Sequence, residues 1–231
     1  PMALELTERQ IAMLAEMGVR VWSPPKGRGQ NTGAVMPEPC ESDADPIQPP
    51  AVGTWQALEA AVGSCKACGF CGRGSGMWRS QQVRTGTWMV VVDRPSEPAA
   101  MRGEERLLLD RMLKAVGRSR SGEGEQGAYL TAAVKCGPVA GKVPGAAEME
   151  ACREHLRHEV RLLRPRVILG MGRLAAQALV GTQQSLGALR GQVHEFEGVP
   201  VVVTYPVAFL LRHPLEKSKA WADLCLAADT G

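Results

Sequence analysis

Apolar positions along residues 54–229 follow two alternating patterns. Short apolar runs rich in valine and isoleucine predict β-strands at 87–93, 128–134, 166–170, 193–197 and 199–204. Apolar residues at the three- and four-residue spacing of amphipathic helices predict helices at 55–62, 104–116, 146–163, 173–180 and 217–227. Strands that alternate with helices predict an α/β fold, a three-layer α/β/α sandwich around a mostly parallel sheet.

A further helical pattern covers residues 5–21, ahead of that region. Thr7 and Gln10 form a capping-box pattern, and Gly18 is a natural stop. So short a helix is not stable alone, and we expect it to dock on a partner or on its own domain. Prolines, glycines and acidic residues at 24–53 predict a flexible linker. The predicted parts are a docking peptide at 1–23, the linker and a folded domain at 54–231.

Composition narrows the protein class. The 231 residues carry a formal net charge of +3, which is too small to indicate nucleic-acid binding by itself. We find no apolar run of ~18 residues and no secretory signal, so we expect a cytoplasmic protein. Seven cysteines without an export signal favour reduced thiols, a metal or a cluster over disulfides.

Five cysteines are candidates for a shared metal site. Cys65, Cys68 and Cys71 lie in one glycine-containing stretch, Cys136 follows a predicted strand, and Cys152 lies in a predicted helix. Four thiolates suit zinc or an iron–sulfur cluster. The wide spacing of the second pair favours a cluster over a zinc ribbon, and buried cysteines without a metal are the alternative.

The order of motifs along residues 63–226 resembles the iron–sulfur (family 4) enzymes of the uracil-DNA glycosylase superfamily. The resemblance implies the three-layer fold and a 4Fe-4S cluster held by Cys65, Cys68, Cys136 and Cys152, with Cys71 as a rival to Cys68. Cys40 and Cys225 are left over. The matching residues are Cys65-x-x-Cys68, Leu108–Leu113, Tyr129–Thr131 with Val134–Cys136, Pro144 with Glu148 and Cys152, Leu163–Ile168, Gly172-Arg173, Arg190-Gly191, Val201–Thr204, Leu210–Arg212 and Trp221–Leu224.

Three positions depart from the family's catalytic motifs. The Gly-Glu-Ala-Pro-Gly loop reads Val-Asp-Arg-Pro-Ser around Asp93, which keeps an acid but loses both glycines. The asparagine that reads uracil is replaced by Ala132, and the motif histidine by Tyr205. A lost catalytic donor costs ~10²–10³ in rate. The resemblance with these losses predicts an inactive glycosylase fold with no catalytic residues.

The N-terminal peptide resembles a second family. Leu14, Met17, Val19 and Trp22 lie in a stretch similar to the N-terminal peptide of the psi subunit of the bacterial DNA polymerase III clamp loader. That resemblance implies docking on the clamp-loader ATPase subunits, with a chi-like subunit on the folded domain. Aromatic and aliphatic anchors of this kind are usual hot spots of peptide docking. Packing of Trp22 on its own domain is the alternative.

Two other functions compete with a non-catalytic psi-like accessory subunit. The first is a divergent iron–sulfur uracil-DNA glycosylase that uses Asp93 as its acid. The second is a non-catalytic DNA-binding module in base-excision repair. Its basic face would contain Arg164, Arg166, Arg173, Arg190, Arg212, His213, Lys217 and Lys219.

Overall fold

The computed structural model describes residues 53–68, 86–94, 103–136 and 143–231. Within these ranges the helices are α1 (Trp55–Gly63), α2 (Glu104–Ala115), α3 (Ala146–Leu163), α4 (Arg173–Val180), α5 (Leu186–Leu189), α6 (Val207–Arg212) and α7 (Lys217–Thr230), with 3-10 turns at Gly124–Gln126 and Pro214–Glu216. The strands are β1 (Trp88–Val92), β2 (Ala128–Ala132), β3 (Val167–Met171), β4 (Val193–Phe196) and β5 (Val199–Thr204).

The strands form one sheet in the order β2-β1-β3-β5-β4, and only the edge strand β4 is antiparallel to its neighbour. In register, Val92 lies opposite both Ala132 and Met171, and Met171 lies opposite Thr204. Four parallel strands therefore end at the same edge. The chain passes from β1 to β2 on one side and then to β3 on the other, so the topological switch point lies between β1 and β3. Ligands of open α/β sheets bind at this point.

Two hydrophobic layers hold the helices on opposite faces of the sheet. Alternate residues of β1, β3 and β5 point to opposite faces, because side chains alternate along a strand. One layer combines Met89, Val91, Ile168 and Val203 with Leu156, Val160 and Leu179 from α3 and α4. The other combines Val90, Leu169 and Val202 with Leu109, Leu113, Leu224 and Ala227 from α2 and α7. This arrangement confirms the predicted α/β fold.

The predicted elements agree with the structure except at a few ends. Helices α3 and α4 and strand β5 have the predicted bounds, whereas β2 ends at Ala132 and α7 continues to Thr230. Glu197 and Gly198 form the turn of the β4–β5 hairpin, both with positive φ (51° and 77°). Two positive φ angles in a two-residue loop are the mark of a type I′ turn. The short helices α5 and α6 are absent from the sequence prediction.

Several predictions lie outside the described residues. These are the helix at 5–21, residues 24–52 of the linker predicted at 24–53, the docking residues Leu14, Met17, Val19 and Trp22, and the cysteines Cys40 and Cys71. Among the described helices, none has the length and apolar character that a membrane-spanning segment needs.

Candidate active site

Asp93 lies at the carboxyl end of β1, beside the switch point. Its backbone is fixed by the end of β2, because the Val134 amide N donates to Asp93 O at 3.2 Å and the Ala133 amide N donates to Val92 O at 2.7 Å. Its carboxylate turns the other way, toward the start of α4, where the Ala175 amide N donates to Asp93 Oδ1 at 2.9 Å. The side chain therefore bridges β1 and the helix that follows β3.

Gly172 makes this position of the carboxylate possible. It joins β3 to α4 with φ at 116°, and a Cβ atom at this position would lie 2.4 Å from both carboxylate oxygens of Asp93. Only glycine supplies both this backbone conformation and this space. The Gly172 amide N donates to Thr204 O at 3.0 Å, which continues the β3–β5 pairing by one residue. The end of β3 thus presents the free amide groups of α4 to Asp93.

Two opposing effects set the charge state of Asp93. Burial raises the pKa of its carboxyl group above the usual value for aspartate, because the charged form loses water. Hydrogen bonds from the amides of Ala175, Leu174 and Arg173, together with the Arg173 charge, lower the same pKa but do not outweigh burial. A half-buried carboxylate held at a helix N-terminus is a candidate for acid–base or electrostatic catalysis.

Ala132 stands at the position where the family has an asparagine whose side-chain amide hydrogen-bonds uracil. The structure shows how Ala132 and its neighbours pack. Ala132 is fully buried and packs in the layer with α2 and α7. The adjacent Thr131 belongs to a buried polar cluster on the α3 side, where its Oγ1 donates to Glu159 Oε2 at 2.9 Å. Lys135 Nζ lies 2.7 Å from Glu159 Oε2 and 2.6 Å from Thr131 Oγ1, and Tyr129 OH donates to Glu159 Oε1 at 3.1 Å. These polar groups are therefore hydrogen-bonded to one another inside the fold.

Tyr205, at the position of the motif histidine, follows β5 directly. The guanidinium of Arg190 lies 4.2 Å from the centre of its ring. Arg190 is held in turn by Asp223, with Nη2 and Nε at 2.6 and 2.7 Å from Oδ2. The Phe209 ring also packs near Tyr205, with the two ring centres 4.8 Å apart. Tyr205 is thus a packed aromatic residue that lies beside the switch-point edge.

The basic residues proposed from sequence as one face are divided between two ends of the sheet. Arg164 and Arg166 precede β3 and lie at its amino end, where Arg166 pairs with Glu125. Arg190 is nearly buried in its ion pair with Asp223. The exposed basic residues after the carboxyl ends are Arg173, Arg212, Lys217 and Lys219, together with His213. This second group is the one on the same edge as Asp93.

The four proposed cluster cysteines come from three segments that pack near one another. Cys65 and Cys68 follow α1, which packs against α3. Cys152 lies on α3 and packs with Val134, two residues before Cys136. Cys136 and Cys152 are buried, and Cys65 and Cys68 are half-buried. Within the described ranges, no three Cys, His, Asp or Glu side chains converge as metal ligands.

Sequence reasoning missed the roles of Gly172 and of the start of α4. The pair Gly172-Arg173 was noted only as a matching motif. A glycine between a predicted strand and a predicted helix is itself a signal for an anion held at a helix N-terminus. The ring contacts from Tyr205 to Phe209 and from Phe209 to His213 were also missed, because Tyr205 and His213 lie on either side of the short helix α6.

The fold and this site define an open α/β protein with a half-buried carboxylate at the switch point of its sheet. The family model described as the Uracil DNA glycosylase superfamily matches residues 92–225, which is more than half of the chain. The chain belongs to this superfamily.

Relatives with curated names agree with this assignment. A type-4 uracil-DNA glycosylase of Pyrobaculum aerophilum is 31% identical over 116 residues, which are 47% of this chain and 59% of that protein. A type-4 enzyme of Archaeoglobus fulgidus is 28% identical over 146 residues, 58% of this chain and 71% of its own length. A type-5 uracil-DNA glycosylase of Pyrobaculum aerophilum is 37% identical over 82 residues, 33% of this chain and 34% of that protein.

These relatives correct the leading functional prediction. The prediction of a psi-like clamp-loader subunit is wrong, and so are its predicted partners, the clamp-loader ATPase subunits and a chi-like subunit. The relatives are named as glycosylases, and the family match spans residues 92–225 where the psi resemblance rested on about ten residues of the N-terminal peptide. The prediction of an inactive fold is also wrong, because curated relatives are named as type-4 uracil-DNA glycosylases, which are enzymes.

Proposed function

We propose that this chain is a uracil-DNA glycosylase, in which the Asp93 carboxylate acts on a uracil nucleotide rotated out of the DNA. The observation that carries the proposal is the place of Asp93. A half-buried carboxylate follows β1 at the switch point, at the motif position where the family has its glutamate. The superfamily match and the names of the relatives support the same reaction.

The reaction is the hydrolysis of the bond between uracil N1 and the deoxyribose C1′. As that bond breaks, its electron pair leaves with uracil, and positive charge develops on the sugar. A carboxylate beside the sugar stabilises this charge and orients the water whose oxygen bonds to C1′. The water proton passes to the carboxylate and then to solvent, and the uracil anion takes a proton from solvent. The products are free uracil and an abasic site.

The start of α4 prepares Asp93 for this role. The Ala175 amide fixes Oδ1 at 2.9 Å, so the carboxylate does not have to reorganise as charge develops. The helix N-terminus favours the anion, whereas burial raises its pKa. A raised pKa brings the group closer to the working pH, which suits a group that takes up a proton and releases it.

Ala132 and Tyr205 are expected to make the reaction slower than in relatives that keep the asparagine and histidine. Ala132 has no group that can hydrogen-bond the uracil edge. Tyr205 packs against Arg190 and Phe209, and a phenol donates to an anionic base less strongly than an imidazolium does. At the position of the family's catalytic carboxylate this chain still has an acidic residue, Asp93. The proposed catalysis therefore depends on Asp93.

We also propose that Cys65, Cys68, Cys136 and Cys152 hold a 4Fe-4S cluster. Support comes from the resemblance to the iron–sulfur family, from relatives named type-4, and from a donor set made only of thiols, which soft metals and iron–sulfur clusters select. When bound, the cluster would cross-link the segment after α1 to the end of β2 and to α3.

The proposed reaction is tested with the full chain and an oligonucleotide that contains one deoxyuridine. We expect free uracil to be released and the product strand to break in alkali at the abasic site. The same oligonucleotide with thymidine at that position should stay intact. No uracil release from single-stranded or duplex substrate, with iron-loaded protein, would overturn the proposal. Iron and sulfide analysis of protein purified without oxygen tests the cluster separately.

A further inference from the structure

A column of three rings extends from the end of β5 to the loop after α6. The rings of Tyr205 and Phe209 lie 4.8 Å apart, and those of Phe209 and His213 lie 4.4 Å apart. The ring planes are inclined by 35° and 33°. Phe209 lies in α6, Tyr205 lies two residues before this helix, and His213 directly follows it. The column runs from the end of the sheet to the protein surface.

The inner end of this column is held rigidly. Arg190 lies against the Tyr205 ring at 4.2 Å, and the ion pair with Asp223 holds its guanidinium. The side chains of Arg190 and Asp223 are only 10% and 2% exposed. A hydrogen-bonded, nearly buried arginine does not change rotamer readily, since that would leave the Asp223 charge unpaired. The rings stacked beyond it are therefore fixed before anything binds.

The outer end is open to solvent. His213 is exposed, while its backbone is fixed by the bond from its amide N to Phe209 O at 2.9 Å. Two residues further on, Leu215 has an exposed fraction of 90%, the highest of the large exposed apolar side chains in the described part of the chain. A rigid ring beside an exposed apolar side chain makes a surface suited to another flat, partly apolar group.

The charge around this surface is positive. Residues 212–219 contain three basic side chains, Arg212, Lys217 and Lys219, and one acidic side chain, Glu216. Glu216 lies 2.9 Å from Lys219 in an ion pair, and hydrogen bonds from Lys219 and Tyr205 lower the pKa of its carboxyl group. Arg212 and Lys217, both exposed, are left to attract an anion.

From this geometry we propose that the His213 ring is a stacking platform for an unpaired base of single-stranded DNA, with Arg212 and Lys217 on the phosphates beside it. Aromatic platforms next to basic side chains bind single strands in this way, because every base has a face that can stack. In a duplex both faces of each base are covered by neighbours, so the platform favours a single strand. The inference rests on the proposed function only in taking DNA as the polymer.

The test measures binding of the full chain to a labelled single-stranded oligothymidine that contains no uracil, and to a matched duplex. We expect tighter binding of the single strand. His213→Ala should weaken that binding roughly tenfold, because one stacked base is lost. His213→Phe should restore it, since any flat ring can stack. Thermal unfolding checks that each variant is folded, and Lys114→Ala on α2 is a control for a charge removed elsewhere.

Salt dependence separates stacking from charge. Lys217→Ala should lower the slope of log affinity against log salt by ~0.7, as expected for one phosphate contact with a single strand. His213→Ala should leave that slope unchanged. Equal affinity for duplex and single strand, an unaltered affinity of His213→Ala, or no rescue by His213→Phe would each overturn the inference. Because the oligonucleotide lacks uracil, failure of the proposed glycosylase reaction would leave these results unaffected.

Discussion

The carboxylate of Asp93 occupies the space that a side chain at Gly172 would need. The two residues end neighbouring parallel strands, β1 and β3, and a Cβ on Gly172 would meet both carboxylate oxygens at 2.4 Å. This contact joins the candidate catalytic acid to the start of α4. It makes the position of the acid depend on a residue that has no chemistry of its own.

Gly172→Ala is therefore expected to impair activity as well as stability. The new methyl group must displace Asp93 from the Ala175 amide, and φ of 116° is strained for alanine. We expect destabilisation of about 1–3 kcal/mol and a rate loss of roughly 10²-fold, because catalysis is sensitive to small misplacements. Chemical denaturation and a uracil-release assay measure the two effects.

Gly187→Ala is a matched control for that variant. Gly187 lies in α5, and a Cβ there would have no atom within 4 Å. Alanine is also the better helix former, so stability should stay the same or rise by up to about 1 kcal/mol. Equal losses in both variants would show that the contact between Gly172 and Asp93 has no special role.

The ion pair between Lys135 and Glu159 is expected to matter for stability. The two side chains are 2% and 5% exposed, and Thr131 and Tyr129 complete their hydrogen bonds. Lys135→Met leaves the Glu159 charge buried without its partner, which should cost about 3–5 kcal/mol. Adding Glu159→Leu to that variant should recover part of the loss. A double variant less stable than Lys135→Met would contradict this account.

His155 is expected to make the protein sensitive to acid. Its pKa is lowered to about 4, mainly by burial and also by the charges of Lys135 and His158, while the charge of Glu154 opposes the shift. An unfolded histidine binds a proton near pH 6.5, so stability is full above that pH and is lost as the pH falls toward 4. After allowance for partial exposure, the loss is on the order of 2 kcal/mol.

His155→Gln tests that origin of acid sensitivity. The variant cannot take up the proton, so its free energy of unfolding should change less between pH 6.5 and 4 than that of the native chain. Urea denaturation at a series of pH values gives the comparison. Parallel curves for the two proteins would assign the acid sensitivity to other groups.

The sequence predicts most of the fold because local patterns decide it. Helix α3 has its predicted bounds, since Pro165 follows its end and its apolar residues keep one spacing throughout. The second strand is predicted too long because its apolar run continues to Val134, whereas the regular β1–β2 ladder ends where Ala132 meets Val92. Beyond that pair a backbone bond from the Val134 amide N to Asp93 O remains. Helix α6 has only six residues, too few to show a period.

The site depends on contacts that local patterns do not contain. Asp93 was found by its place in a motif, yet its hydrogen bond to Ala175 joins residues 82 positions apart. That contact follows from the order of β1 and β3 in the sheet, which the sequence leaves open. The same holds for Lys135 and Glu159, since nothing along the chain indicates that a strand end and a helix will bury opposite charges together.

The central claim is that the charge of Asp93 drives uracil release. Asn at position 93 keeps an oxygen that can accept the hydrogen bond from the Ala175 amide. Asn also caps helices as well as Asp does, but it carries no charge. Because burial raises the Asp93 pKa, the folded state favours the protonated carboxyl group and disfavours the ionised one. The stability that the protonated group contributes at acid pH is lost as the pH rises. Asp93→Asn should therefore be at least as stable as the native chain at neutral pH.

The most direct test is the rate of uracil release by Asp93→Asn and by the native chain, measured on the same oligonucleotide across a range of pH. We predict a loss of roughly 10²–10⁴-fold in the variant. The native rate should fall at acid pH with a midpoint above the usual aspartate value, and the variant should show no such step. A folded Asp93→Asn protein that releases uracil at the native rate would contradict the account.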